Sequence, residues 1–165
     1  MAFAGLERLA DDPGARLAHA LDLAYRWLGR RDRTVAEMRR HLESKRVEPA
    51  TIEAVVVELE AQRYLDDAAY AQRFAEDRRR LDGWGADRIA RRLQALGVAE
   101  EHVAAALGAQ RADGELEAAL EVLRRRVRVP PRDDRERERA LGMLARRGYE
   151  LELAYEAVRR FEREG

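Results

Sequence analysis

Apolar residues recur along this chain every three or four positions, which is the spacing of one face of an α-helix. The N-terminal third carries three such stripes, separated by residues 29–33 and by a stretch that ends at Pro49. The residues predicted to be buried are Leu17, Leu21, Ala24, Tyr25, Trp27 and Leu28, then Val35, Met38 and Leu42, and then Ile52, Val55, Val56 and Leu59. The only β-branched run, 55–57, lies inside the third stripe, so the pattern indicates an all-α protein.

Local sequence signals place the starts of these helices. The turn at residues 11–14 follows a loose lead-in and predicts the start of the first helix. Thr34 and Glu37 have the spacing of a capping box, in which each side chain bonds a free backbone amide at a helix start. Pro49 fits the first turn of the third helix, because a proline has no amide hydrogen to satisfy there.

The helical pattern repeats at a fixed interval of 51 residues. This interval separates Leu42, Leu93 and Leu144, and also Val47, Val98 and Tyr149. We therefore predict three tandem three-helix repeats, 16–65, 66–111 and 112–165, after an N-terminal lead-in at 1–15. Repeats of this kind pack mainly on their neighbours and form elongated arrays, which offer long surfaces to partners.

The first helices of the second and third repeats align less closely than the other helices do. The side chains predicted to be buried are Tyr70, Ala71, Phe74 and Leu81 in the second repeat, and Leu116, Ala119, Leu120, Leu123 and Val127 in the third. Asp66 or Asp67 is predicted to cap the first of these helices. The prolines at 130 and 131 end the second, and Asp133 or Asp134 is predicted to cap the helix that follows.

Charge is segregated by helix type, although the net charge is zero. The segments 34–46, 86–97 and 135–147, which contain the second helices, are basic, whereas 48–69 and 99–121, around the third helices, are acidic. Two interpretations stay open: neighbouring helices pair their charges, or two opposite stripes face a patterned partner. The acidic third helices disfavour a helix-turn-helix that reads duplex DNA, because they would be repelled from the groove.

Most catalytic chemistry finds no support in these residues. The chain has no cysteine, and His19, His41 and His102 lack the spacing of metal ligands. Adjacent Asp66 and Asp67 are far more typical of a helix cap than of a metal site. No phosphate loop, nucleophile elbow or dinucleotide fingerprint is present. We therefore predict a protein that is not an enzyme and that needs no cofactor or metal.

The sequence has no apolar run long enough for a signal peptide or a membrane span, so a cytoplasmic protein is expected.

Trp84 lies between Gly83 and Gly85, where it either anchors a partner or packs beneath the neighbouring repeat. Weak, salt-sensitive DNA contact is a further candidate property of the arginine clusters. The arginines concerned are Arg79 and Arg80, with Arg124, Arg125, Arg126 and Arg128.

Several phrases in fixed order carry a resemblance to a known family. They are Arg30-x-x-Arg33-Thr34-x-x-Glu37-Met38, Tyr64-Leu65-Asp66-Asp67-x-x-Tyr70-Ala71 with Phe74 and Arg78, Gly85-x-x-Arg88-Ile89-x-x-x-Leu93-x-x-x-Gly97-Val98, and Leu144-x-x-Arg147-Gly148-Tyr149. In these phrases the chain resembles the RecX family of recombination regulators, also called RecA modulators, over residues 18–163. Tyr64, Asp66, Asp67, Gly97 and Gly148 are its structural motif positions.

The resemblance implies a curved, all-helical protein that binds the RecA nucleoprotein filament. It implies inhibition or tuning of ATP hydrolysis, strand exchange and SOS co-cleavage in recombinational repair. We expect a monomer in which the basic second-helix faces of the central and last repeats make the main contact. Reversal of Arg88, Arg91 and Arg92 to glutamate should weaken filament binding without unfolding the protein. The predicted partner-binding residues are Arg78, Trp84, Arg88, Arg91, Arg92, Arg146 and Arg147.

Two other functions stay open. A protein that binds single-stranded DNA would affect recombination by competing with RecA for DNA, and a helical scaffold would serve some other partner.

Three departures from the family pattern concern local geometry. Arg63 and Arg46 stand where glycine is usual, and Met38 replaces a leucine. Arg46 is expected to need a left-handed backbone at a cost of about 1 kcal/mol.

Overall fold

The computed structural model describes residues 12–108 and 112–165, so most of the predicted lead-in, residues 1–11, lies outside the described residues. The described residues form nine α-helices and no strand. The helices are α1 (Pro13–Leu28), α2 (Val35–Ser44), α3 (Pro49–Ala61), α4 (Asp67–Asp77), α5 (Ala86–Ala95), α6 (Glu100–Gly108), α7 (Ala112–Arg126), α8 (Asp134–Arg146) and α9 (Leu151–Glu162). The prediction of an all-α chain of three tandem three-helix repeats is confirmed, whereas the repeat boundaries stay predictions.

Contacts divide the chain into two compact units. Among the described residues, the first unit holds those up to Tyr70 together with Leu96–Val98, and the second holds Ala71–Ala95 and those from Ala99 on. The core of the first unit joins α1, α2 and α3, and its buried side chains include Met38, Leu42, Val55 and Leu59. Every residue predicted to be buried on α2 and α3 is buried.

The buried stripe of α1 differs from the predicted one. It consists of Ala20 and Ala24, while the neighbouring leucines are half-buried. Tyr25 was predicted to be buried but is 37% exposed, and its hydroxyl donates to Gln62 Oε1 at 2.6 Å. The small residues let α1 approach closely, and Tyr25 keeps its polar end at the surface.

Three side chains satisfy the start of α2. The predicted capping box is present, because the Thr34 hydroxyl accepts from the Glu37 amide and the Glu37 carboxylate accepts from the Thr34 amide. A third acceptor comes from a distant part of the sequence, since Asp67 Oδ1 accepts from the Val35 amide at 2.9 Å. Asp66 accepts from the amide of Ala69 at 2.9 Å. The adjacent aspartates therefore serve the starts of two different helices.

Alanine at Asp66 or at Asp67 is expected to lower stability by about 1 kcal/mol, because each change leaves a helix-start amide without its acceptor. Urea unfolding followed by far-UV circular dichroism measures the loss. Magnesium or EDTA should leave both midpoints unchanged. A metal-dependent rise in the wild-type midpoint that either alanine abolishes would contradict the capping role.

The second unit has a core formed by α7, α8 and α9. Its buried side chains include Leu120, Leu123, Leu144, Tyr149 and Phe161. The stripe predicted for α7 is largely buried, except that Val127 is half-buried. Asp133, one of the two predicted caps, accepts from the amide of Glu136 at 2.8 Å and so begins α8.

A π-helical segment, Arg78–Asp82, continues α4 and ends at Gly83. Leu81 was predicted to lie on the buried face of this helix, but it is 64% exposed. A π-helix bonds residue i to i+5, so residues in it rotate away from the positions that an α-helix would give them. The same segment turns successive arginines toward different surroundings.

One joint occurs twice, 51 residues apart. In the first unit the Thr34 hydroxyl donates to the Leu96 carbonyl at 2.7 Å, and in the second the Gly85 amide donates to the Arg147 carbonyl at 2.8 Å. In each joint, the start of a helix lies against the turn that follows the end of a different helix. That turn is so close that a Cβ on Gly97 would lie 2.3 Å from Ala36 Cβ, and one on Gly148 would lie 2.3 Å from Arg88 Cβ.

Arg46 occupies the position equivalent to Gly97 and Gly148, and all three have positive φ. The expected left-handed backbone of Arg46 is confirmed by its φ of 59°. The Arg46 side chain is exposed. Arg63, the other arginine that stands where glycine is usual, also has a left-handed backbone, with a φ of 62°.

Candidate partner-binding site

Trp84 is the centre of a cluster of arginines and aromatic rings in the second unit. The ring packs edge-on against Phe74 with centroids 6.2 Å apart. The Arg88 guanidinium lies over it, 4.1 Å from the ring centroid, and the Arg78 guanidinium lies 5.8 Å away. Trp84 is half-buried. Cation–π contacts of this kind hold a guanidinium in place beside the ring.

The π-helical segment holds this cluster in position. Arg78 donates to Asp82 Oδ2 at 2.5 Å, which fixes its guanidinium near Phe74 and Trp84. The Asp82 carbonyl in turn accepts from Arg147 at 2.7 Å. Arg147 is half-buried in this contact, so it supports the turn that carries Trp84. Three of the predicted partner-binding residues, Arg78, Trp84 and Arg88, are thus brought together.

The α5 arginine face consists of Arg88, Arg91 and Arg92. Arg91 and Arg92 are exposed and form no ion pair with any residue that the structure describes. Arg88 is half-buried and donates to the Arg146 carbonyl at 3.3 Å, besides its contact with Trp84. Arg146 itself is exposed. Arg91 and Arg92 are therefore the members of this face whose charges are most open to a partner.

The arginines predicted to contact DNA have three different surroundings. Arg124 bonds Glu117, Glu121 and Glu164, and these carboxylates raise its pKa further above the usual range. Arg79 is half-buried, and burial lowers its pKa. The other exposed members are Arg80, Arg125, Arg126 and Arg128. Of these, Arg80 lies near Asp77 and Arg125 lies near Glu121.

Several side-chain contacts in the two units were not predicted. Glu115 Oε1 accepts from the Ala86 amide at 2.8 Å and so helps to begin α5, and Glu115 lies far from Ala86 in the sequence. In the first unit, the Trp27 ring stacks on His41 with centroids 4.1 Å apart, and the Arg33 guanidinium lies 4.0 Å from the Trp27 ring centroid. A local sequence pattern carries no signal for any of these contacts, because the partners are brought together by the fold.

The Tyr149 hydroxyl is buried and has no hydrogen-bond partner among residues 12–108 and 112–165. Burial raises the pKa of Tyr149 to about 12, because the ionised phenolate would lose its hydration. The unfolded chain releases this proton near pH 10. The contribution of Tyr149 to stability is thus present in full below pH 10 and is lost as the pH rises from 10 to 12.

Wild-type stability should therefore fall by on the order of 2 kcal/mol more than that of the Tyr149→Phe variant between pH 10 and pH 12. At neutral pH the variant should be as stable as the wild type or slightly more stable, since it removes a buried hydroxyl without a partner. Urea midpoints of both proteins across this range test the prediction. Parallel alkaline declines would contradict it.

No group of three or more potential metal-ligating side chains occurs within residues 12–108 and 112–165. In the same ranges, every helix is too short or too polar to cross a membrane. The fold and the site define an all-α protein of three tandem three-helix repeats, with an arginine-rich surface around Trp84. Such a surface is suited to binding a charged partner.

Models of the RecX family match all three repeats. The first three-helix domain matches residues 20–59, the second matches 66–107 and the third matches 113–158. A regulatory protein RecX of Thermus thermophilus is 38% identical over 148 residues, which cover 90% of this chain and 96% of that protein. The RecX protein of Leptothrix cholodnii is 35% identical over 136 residues, or 82% and 85% of the two chains. This chain belongs to the RecX family of regulatory proteins.

Solved structures agree on the fold. The crystal structure of RecX from Lactobacillus salivarius superposes with a TM-score of 0.80 at 14% identity, covering 90% of this chain and 98% of that one. A second crystal structure of a regulatory protein RecX gives a TM-score of 0.74 at 22% identity, with 89% and 73% covered. At these identities the likeness concerns the fold alone.

Proposed function

We propose that this protein binds the RecA nucleoprotein filament in the cytoplasm as a monomer and inhibits or modulates its ATPase, strand-exchange and co-protease activities. Membership in a family of regulatory proteins supports a regulatory role. The observation that carries the filament contact is the exposure of Arg91 and Arg92 beside the Trp84 cluster. These residues offer charge and an aromatic ring at one place on the second unit.

The chemistry of this surface suits protein carboxylates. A guanidinium donates two parallel hydrogen bonds to a carboxylate, and arginine and tryptophan are enriched among the residues that dominate binding energy at interfaces. Because Arg91 and Arg92 have no ion pair with a described residue, a partner's acid would not have to displace an internal one. Binding at exposed charges is expected to weaken as salt increases.

Competition for single-stranded DNA is the alternative function. Arg126 and Arg128 support it, because they are exposed and have no ion pair with a described residue. Arg124 gives it less support, because three carboxylates already surround that guanidinium. The alternative requires that the protein bind bare DNA at least as tightly as it binds the filament.

Fluorescence anisotropy of this protein, labelled at a cysteine introduced at the exposed Ala54 of α3, distinguishes the two functions. It is titrated with RecA filaments assembled on oligothymidylate, with the same oligothymidylate alone and with RecA alone, each at a low and a high salt concentration. We expect tight binding to the filament and binding to bare DNA that is weak and lost at high salt. Equal affinity for bare DNA would favour competition, and no binding to the filament would refute the proposed function.

A further inference from the structure

A cleft of about 690 Å³ lies in the second unit, on the side of the π-helical segment that Arg79 lines. Residues of α4, of that segment, of α6 and of α7 form its walls. Arg79, Arg80 and Arg125 bring three guanidinium groups to it, and Glu76 and Glu121 bring two carboxylates. None of these residues belongs to the Trp84 cluster or to the α5 arginine face. The cleft is therefore a second place at which this unit could hold a ligand.

Arg79 is the member of the cleft with the least satisfied charge. It is half-buried, and no carboxylate of the described residues lies within 4 Å of its guanidinium. Its hydrogen bond to the Ala106 carbonyl is long, at 3.5 Å. Burial also lowers its pKa, as expected for a cation that has lost hydration. A desolvated cation without a counter-ion is stabilised by an anion that binds beside it.

The acid with the largest electrostatic effect on Arg79 is already engaged. Glu115 acts on Arg79 through its charge, but its Oε1 accepts the hydrogen bond from the Ala86 amide at 2.8 Å. Moving that carboxylate to Arg79 would leave the start of α5 without an acceptor. An anion for Arg79 must therefore come from outside these contacts.

The two other arginines of the cleft are exposed and only loosely paired. The closest contact of Arg80 with Asp77 is 3.6 Å, and that of Arg125 with Glu121 is 3.7 Å. Exposed pairs at such distances contribute little to stability. Both guanidinium groups can therefore turn toward an incoming anion at small cost.

The remaining lining distinguishes a peptide from a nucleic acid. Ala106, Ala118 and Val122 give the cleft an apolar part, and two of these side chains are buried. Glu76 and Glu121 line the same cleft and would repel successive phosphates of a polyanion. A peptide segment that places one carboxylate beside an apolar side chain matches both the guanidinium groups and the apolar part.

We propose that this cleft binds an acidic side chain, together with an adjoining apolar side chain, from a peptide segment of a partner protein. Arg79 receives the carboxylate at the bottom of the cleft, and Arg80 and Arg125 close over it. Val122 and the two alanines receive the apolar group. The inference concerns the chemistry of the segment and holds whichever protein supplies it.

The test uses the full chain labelled with ¹⁵N and two blocked dipeptides, N-acetyl-Leu-Glu-amide and N-acetyl-Leu-Gln-amide. Titration of the glutamate peptide to millimolar concentration should shift the Arg79 Nε–Hε signal and the amide signals of Gly83 and Ala106 in a saturable way. The glutamine peptide should bind at least about tenfold more weakly, because it cannot form the charge-assisted hydrogen bonds of a carboxylate.

Two variants locate the site. Arg79→Gln should weaken binding of the glutamate peptide about tenfold, and Arg125→Gln, an exposed change that leaves the core intact, should weaken it by a smaller factor. Arg128→Gln, an exposed change outside the cleft, should leave binding unchanged. Equal shifts with the glutamine peptide, no shift at all, or stronger shifts at the same signals with a short oligothymidylate would each overturn the proposal.

Discussion

Replacement of Gly148 by alanine is expected to lower the free energy of unfolding by about 2–4 kcal/mol. Two effects act in the same direction. Gly148 has a φ of +87°, which a residue with a Cβ adopts only with strain. The added Cβ would also lie 2.4 Å from the backbone nitrogen of Arg88, and backbone on both sides of the joint cannot easily move. Urea unfolding by circular dichroism measures the loss.

Two matched variants test the cause. Gly108→Ala is a glycine-to-alanine change whose Cβ would meet no atom of the described residues within 4 Å, and it should be neutral or slightly stabilising. Arg46→Gly relieves the left-handed strain at the equivalent position, which already accommodates an exposed side chain, and should stabilise by about 0.5–1 kcal/mol. If Gly148→Ala were no more harmful than Gly108→Ala, the joint would not control stability.

Reversal of Arg91 and Arg92 to glutamate is expected to weaken binding to the RecA filament about tenfold or more, since two exposed cations become two anions. Arg88 is left intact in this variant, although it belongs to the same face. Its guanidinium holds Trp84 and donates to the Arg146 carbonyl, so its reversal would disturb the turn as well as the surface. The anisotropy titration on filaments gives the change in affinity.

The control for this variant has the same change in net charge at another place. Arg26→Glu with Arg30→Glu reverses two exposed arginines in the first unit, and we expect filament binding within about twofold of the wild type. Both double variants should keep wild-type helicity. Equal weakening by the two pairs would indicate that net charge, and not the α5 arginine face, determines binding.

The repeat frame could be predicted from the sequence because its cause is local and periodic. Leu42, Leu93 and Leu144 recur at the same position of three second helices, and each is fully buried. Gly97 and Gly148 follow them at a fixed distance and have the positive φ that ends such helices. A pattern that repeats three times carries more information than any single helix does.

Contacts between distant segments could not be predicted in the same way. Asp67 was expected to be a candidate cap for its own helix, yet its carboxylate accepts from Val35 at the start of α2. A left-handed backbone was expected for Arg46 only, yet Arg63 has one too. Both features depend on the path of the chain between helices, and residue types alone do not fix that path.

The candidate site shows the same division between local and tertiary causes. The arginine content of α5 was evident from the sequence, because Arg88, Arg91 and Arg92 follow helical spacing. The contact of Arg88 with Trp84 was not, and neither was the π-helical segment that rotates Leu81 to the surface and Arg79 into the cleft. A π-helical segment has no clear sequence signal, because it arises from the fit between a helix and its surroundings.

The most direct test of the proposed function is RecA ATP hydrolysis on single-stranded DNA, titrated with this protein at two salt concentrations. The filament model predicts inhibition well below one molecule of this protein per RecA, since one bound molecule affects many subunits. The double variant of Arg91 and Arg92 should shift the titration to higher concentration. Inhibition that begins only when the protein can cover the DNA, or no inhibition at all, would contradict filament binding as the mechanism.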